Sequence, residues 1–197
     1  MKKTPLILLV ILLITSCLTI ERVPSKKNDD GYSSLSDANK KLIHDFSLGE
    51  QKSGERAIQW INAAELQNIA KNNNKTTWLI IWASWCPHSI NLIDQKRILF
   101  SEKHKETMTT ILIAQNINLD YQLALLDKIK YQGNLYILNS KQYGTDENMK
   151  SVTFLNELKV DFKEIIKSTP INILLSVEGN VLKIKYGENI TDDFFNH

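Results

Sequence analysis

The chain is short of cysteine, glycine and proline. Two cysteines in 197 residues allow at most one internal disulfide, which excludes a disulfide-stapled miniprotein. Seven glycines and four prolines exclude a collagen-like repeat and a Pro/Gly-rich disordered chain. No sign of charge dominates: 24 Lys+Arg stand against 22 Asp+Glu, a net charge of +2. So balanced a chain has no general pull on phosphate backbones, and no nucleic-acid partner is expected. The apolar run at the N-terminus, residues 6–14, is far short of the about twenty helical residues that cross a hydrocarbon core. There is no glycine-rich phosphate loop, no Cys-x-x-Cys zinc pair, no His-Glu-x-x-His helix and no Gly-x-Ser-x-Gly elbow. His44, His104 and His197 show no metal-ligand spacing. No metal and no cofactor are expected. What is present is an ordinary globular composition, 43% apolar and 23% charged, in a length that suits one domain with an appendage.

The N-terminus reads as an export signal. Lys2 and Lys3 precede the apolar run, the pattern of a secretory signal peptide. The run ends in Ile14-Thr15-Ser16-Cys17. This resembles the lipobox of bacterial lipoproteins, an aliphatic residue and two small ones before a cysteine. The resemblance implies cleavage before Cys17 and acylation of that cysteine, with residues 1–16 as the lipoprotein signal peptide. Several acyl chains anchor firmly, since each buried CH₂ adds about 0.8 kcal/mol. The expected location is the bacterial cell envelope, lipid-anchored and extracytoplasmic. Leu18 is not the acidic residue associated with inner-membrane retention in some Gram-negative bacteria, which points to the periplasmic face of the outer membrane in such a source. With Lys2 and Lys3 removed, the charges of the mature chain balance.

Residues 17–55 are polar and weakly periodic and read as a lipid-anchored tether, with a short helix over 37–46. From about residue 56 the pattern alternates. Strands are expected over 57–61, 77–83, 110–115 and 135–138. Helices are expected over 63–71, from just after Cys86 to 104, from Leu119 to Leu126, and from Leu155 to Ile166. The unbroken apolar run 77–83 predicts a strand buried on both faces. Past Pro170 the period becomes two, and Glu178-Gly179-Asn180 separates two alternating segments, an antiparallel hairpin. Together these give an α/β fold, a central mixed sheet with helices on both faces and a C-terminal β-hairpin, over residues 56–197.

The second cysteine follows the buried strand directly, in Trp82-Ala83-Ser84-Trp85-Cys86-Pro87-His88-Ser89. A cysteine at a helix N-terminus meets free N–H groups and the helix dipole, which favour its thiolate. Pro87 suits the first turn of that helix. A protonated His88 would favour the thiolate further, and the Ser89 hydroxyl, one turn on, can donate to the sulfur. The segment resembles the active site of the thioredoxin superfamily, Trp-Ala-x-Trp-Cys-x-x-Cys. Thr169-Pro170 before a strand–turn–strand resembles that family's cis-proline and final hairpin. The stretch between Cys86 and Pro170 is longer than in a minimal thioredoxin. The extra part, residues 119–143, resembles the helix and strand inserted in membrane-anchored thioredoxin-like proteins of exported-protein thiol chemistry.

The resemblance implies a catalytic group of Cys86, His88 and Ser89, and a substrate-contacting group of Trp85, Pro87, Thr169 and Pro170. Three departures matter. Ser89 stands where the second motif cysteine would be. Ile80 stands where thioredoxins carry a buried acid. Cys17, once acylated, cannot serve as a resolving thiol. Two readings follow. One is a monothiol enzyme of thiol-disulfide exchange, isomerising or handling mixed disulfides of cysteine-containing exported proteins, with a small thiol or protein reductant as second partner. The other is a catalytically degenerate scaffold that binds a partner protein.

Overall fold

The computed structural model describes residues 29–48, 56–160 and 169–196. The elements in chain order are a short helix α1 (Asp37–Leu42), strands β1 (Ile43–His44) and β2 (Ile58–Ile61), helix α2 (Ala63–Asn73) and strand β3 (Thr76–Trp82). Helix α3 (Pro87–Asn91) runs through a π-helical turn (Leu92–Lys96) into α4 (Arg97–Lys103). Then come β4 (Met108–Ala114), α5 (Leu119–Lys128), β5 (Leu135–Leu138), α6 (Ser140–Tyr143), α7 (Glu147–Glu157) and the strands β6 (Ile171–Leu175) and β7 (Val181–Tyr186).

The seven strands form one sheet in the order β1-β2-β5-β4-β3-β6-β7. The first five are mutually parallel, and β6 and β7 are antiparallel to their neighbours. The expected α/β sheet with a C-terminal hairpin is present. The inserted helix and strand do not decorate the domain from outside: β5 lies inside the sheet, between β2 and β4.

Strand β3 is buried from Thr77 to Trp82. Its side chains alternate. Trp78, Ile80 and Trp82 enter one hydrophobic cluster with Trp60, Leu92, Ile93 and Leu112. Leu79 and Ile81 enter the other, with Leu66, Ile113, Phe154 and Ile171. The two clusters cover opposite faces, so the continuous apolar run is read correctly as doubly buried. Ile80 is fully buried among carbon, at the site where the resembling family would place an acid. Trp78 keeps its one polar atom satisfied by donating to Asn172 Oδ1 at 3.1 Å.

Helix α2 begins on a capping box. Glu65 N–H donates to Asn62 Oδ1 at 2.9 Å, and Asn62 N–H donates to Glu65 Oε2 at 2.7 Å. The hairpin turns through Gly179, at φ 77°, and closes by Ser176 N–H on the Asn180 carbonyl at 2.8 Å.

Two expectations differ from what is found. The helix expected over 155–166 runs instead over Glu147–Glu157. Its start is set by Asp146, whose carboxylate accepts from Met149 N–H at 2.8 Å, a cap that an apolar periodicity does not register. Phe162, Ile165 and Ile166 lie outside the described residues. The second difference concerns the polar tether of residues 17–55. Residues 29–48 of that stretch are packed on the domain. Ile43 pairs with Ile58 at the sheet edge and is buried.

Asp30 fastens the same segment more tightly. Its backbone N–H donates to Thr145 O at 2.8 Å. Its carboxylate accepts from Lys150 Nζ and Ser140 Oγ, and from Tyr32 N–H at 2.9 Å. Lys150 Nζ also reaches Ser140 Oγ at 3.2 Å. Both charged side chains are wholly buried. Polarity alone marks Asp30 as tether; its partner is 120 positions away and invisible to a local reading.

A buried pair of this kind is costly to break from one side, because the remaining charge is left unpaired. Lys150→Met should therefore lose about 3–5 kcal/mol of stability, read as a fall in the urea midpoint. Asp30→Asn with Lys150→Met should recover most of it. A Lys150→Met protein that unfolds at the wild-type midpoint would show that the pair does not hold the segment.

Candidate functional site

Cys86 is placed by the end of β3. The chain leaves the sheet at Trp82 and turns through Ala83, where Cys86 N–H donates to the Ala83 carbonyl at 3.1 Å. Cys86 becomes the N-cap of α3, with Pro87 at the first helical position. The residue is 6% exposed. The neutral thiol donates to the Thr169 carbonyl at 3.3 Å. The Thr169–Pro170 peptide bond is cis, and β6 begins at the next residue.

Two opposing effects act on this thiol. Burial pushes its pKa up, since the charged form loses hydration. Hydrogen bonding at the sulfur by Thr169, by the Ser89 backbone and hydroxyl, and by the His88 backbone pushes it down. The hydrogen bonds win, and the thiol is held below its ordinary value. The Thr169 hydroxyl is buried beside the thiol and has no hydrogen-bond partner. Ser89 is fully buried; its hydroxyl oxygen accepts from Ala83 N–H at 3.3 Å, which leaves its hydrogen for Cys86. One hydroxyl thus links the strand end to the thiol.

The expected site residues fall into two groups. Cys86, Pro87, Ser89, Thr169 and Pro170 come together. His88 and Trp85 flank them but face elsewhere. The His88 ring is 69% exposed and its Nδ1 lies 3.0 Å from Glu188 Oε1; it is the His88 backbone that serves the sulfur. Trp85 is 61% exposed, yet its indole N–H is shared between the two oxygens of Glu147, at 3.3 and 3.1 Å. Burial raises the Glu147 pKa, with the Trp85 hydrogen bond and Lys150 acting against it. Cys17 lies outside the described residues.

Three residues of the site carry no motif. Asn116 clamps the loop before the cysteine: Ser84 N–H donates to its Oδ1 at 2.8 Å, and its Nδ2 donates to Ser84 Oγ at 2.7 Å. Glu147 holds Trp85. Glu188, just past β7, accepts from Asn91 Nδ2 and bonds His88. Each acts across a long sequence separation. The only local signal is a polar residue at the C-terminal end of a buried strand, as with Asn116 after β4.

Trp85 and Glu147 also line an open cleft of about 350 Å³ together with Asp29, Asn118 and Asp120. Among the described residues no helix is long and apolar enough to cross a membrane.

A parallel sheet whose central strand delivers a cysteine to a helix N-terminus, faced by a cis-proline that opens an antiparallel hairpin, is a thioredoxin-like fold. Among solved structures, the chain is similar to the thioredoxin domain of a thiol-disulfide oxidoreductase from Bacteroides vulgatus: 15% identity, TM-score 0.45, 66% of this chain and 79% of that one. A thioredoxin-family thiol:disulfide interchange protein from Chlorobium tepidum matches at 16% identity and TM-score 0.44, over 69% of this chain and 81% of that one. StoA from Bacillus subtilis matches at 18% and 0.42, over 61% and 78%. No protein-family model and no curated protein matches the chain.

Alkylation of Cys86 across a pH series is expected to titrate below about 8.5, the ordinary cysteine value. Ser89→Ala removes a donor to the sulfur and should move the midpoint upward. A wild-type midpoint at or above 8.5 would contradict the hydrogen-bond balance described for this thiol.

Proposed function

We propose that the protein is a monothiol catalyst of thiol-disulfide exchange on cysteine-containing exported proteins or on mixed disulfides with small thiols. The observation that carries this reading is the placement of Cys86 at the N-terminus of α3, opposite the cis Thr169–Pro170 bond, with its thiol held below the ordinary value. The thiolate attacks one sulfur of a substrate disulfide. That S–S bond breaks, the other sulfur leaves as a thiolate and takes up a proton, and a Cys86–substrate disulfide forms. A second thiolate, from the substrate or from a small thiol or protein reductant, then attacks the substrate sulfur and releases Cys86. No net oxidation occurs within the chain, so no external electron acceptor is required.

Ser89 limits this chemistry. In a dithiol site the residue one turn on would break the mixed disulfide from within. A hydroxyl cannot, so release must come from outside. That suits isomerisation or mixed-disulfide removal and suits net two-electron reduction poorly. The chemistry of the site thus favours exchange over reduction.

The trapping experiment uses cell envelopes and non-reducing gels. Wild-type protein should give covalent complexes that vanish under reductant and in Cys86→Ala. Equal recovery of partners with Cys86→Ala would favour the scaffold reading instead. Ser89→Cys should add dithiol reductase activity; its absence would indicate a groove that no longer accepts substrate.

The same proposal includes an anchor. Cys17 would carry acyl chains and place the domain in an extracytoplasmic space, held to the membrane by lipid. Support comes from the lipobox-like sequence. Cys17→Ser should move the protein from the membrane fraction to the soluble or unprocessed pool; an unchanged membrane fraction would overturn the anchor.

A further inference from the structure

Glu188 ties the catalytic helix to the last loop of the fold. Its carboxylate bonds His88 Nδ1 at 3.0 Å through Oε1 and accepts from Asn91 Nδ2 through Oε2. Its backbone carbonyl accepts from Lys96 Nζ at 2.8 Å. Three successive turns of the Cys86 helix are therefore bound to one residue. The preceding residue faces the other half of the site: Gly187 N–H donates to the Pro170 carbonyl at 2.8 Å, and its carbonyl accepts from Asn172 Nδ2 at 2.9 Å. The Gly187-Glu188 pair thus spans from the cis-proline segment to the cysteine helix.

We propose that Glu188 is a positioning residue of the thiol site, which acts through His88. It holds the His88 ring out toward solvent and supplies the negative charge that cancels an imidazolium two residues from the nucleophile. The proposal rests on the thiol reading of Cys86. The histidine of the Cys-Pro-His-Ser segment is thereby kept from acting as a free cation beside the thiolate, and the site is less strongly activated than the motif alone implies.

The sign of the effect follows from charge counting. With Glu188 present, the pair carries a net charge of zero when His88 is protonated and minus one when it is neutral. Glu188→Gln removes one negative charge. The net local charge therefore rises at every pH, and the thiolate is favoured. Glu188 meets the titratable ring of His88 and the charged Lys96, together with Asn91; no charged side chain is among the groups acting on the Cys86 thiol, which are Thr169, Ser89 and the His88 backbone.

The test is the Cys86 thiolate titration, read by ultraviolet absorbance and by alkylation rate, in wild type, Glu188→Gln and the control Glu178→Gln. Gln at 188 keeps an oxygen for Asn91, so the helix retains its tie. Glu178 sits in the hairpin turn bonded to Ser176, and its substitution changes the total charge equally. Expected for Glu188→Gln is a midpoint moved to lower pH and an alkylation rate about twofold higher below the midpoint. The difference should shrink in 1 M salt, since the His88 side is exposed. Glu178→Gln should leave the midpoint in place. A Glu188→Gln midpoint that stays or rises, or that moves no further than that of Glu178→Gln, overturns the proposal. The titration needs no substrate. A wild-type thiol that titrates normally but catalyses no exchange would count against the proposed function and leave this inference standing.

Discussion

Everything in this fold is arranged around a strand with no polar face. Strand β3 offers carbon on both sides, so it must be covered on both sides. That requirement fixes β4 and β6 as its neighbours, places α3 and α4 over one face, and puts α2 and α7 over the other. Burial at about 25 cal/mol per Å² of apolar surface makes such a strand the anchor of the domain. The thiol gains from this. Cys86 lies four residues beyond a strand that cannot shift without exposing Trp78, Ile80 and Trp82. The opposing carbonyl, Thr169, stands two residues before the antiparallel neighbour of that strand. Two elements locked in register thus set the distance between a sulfur and its acceptor.

The groups that act on the sulfur are neutral. Hydroxyls and backbone N–H groups stabilise the sulfur, and the one ionisable ring beside it is spoken for by Glu188. Hydrogen bonds of this kind depend on geometry more than on ionic strength, whereas an exposed charge would be screened. Packing sets these groups: Ser89 is fully buried and its hydroxyl oxygen is held by Ala83 N–H.

Local pattern encodes a large part of this fold. The doubly buried run of β3, the alternation of β6 and β7, the Glu178-Gly179-Asn180 turn and the position of Cys86 ahead of a helix all follow from spacing and residue type. Strand β5 was legible as a strand, but its place between β2 and β4 was not, because strand order depends on which faces match in space. Helix α7 was misplaced toward its C-terminal side because its start is marked by an aspartate cap and not by carbon. Asn116, Glu147 and Glu188 were missed for one shared reason. Each is an unremarkable polar residue whose meaning lies in a partner 32 to 100 positions away. His88 illustrates the converse: a residue read as an activator from its neighbour in sequence is claimed by a neighbour in space.

The buried Asp30–Lys150 pair has a consequence for reach. It seats residues 29 and 30 at the rim of the cleft that Trp85 lines. A free leash running from Cys17 to residue 55 would extend to about 130 Å. With the chain fastened at Asp29, only the stretch from Cys17 to that point is available, about 40 Å at full extension. An acylated Cys17 would then hold the cleft beside Trp85 within that distance of the bilayer surface, and the accessible targets would be those whose cysteines lie in that shallow layer. Charge burial inside the domain would have become a ruler for the space outside it.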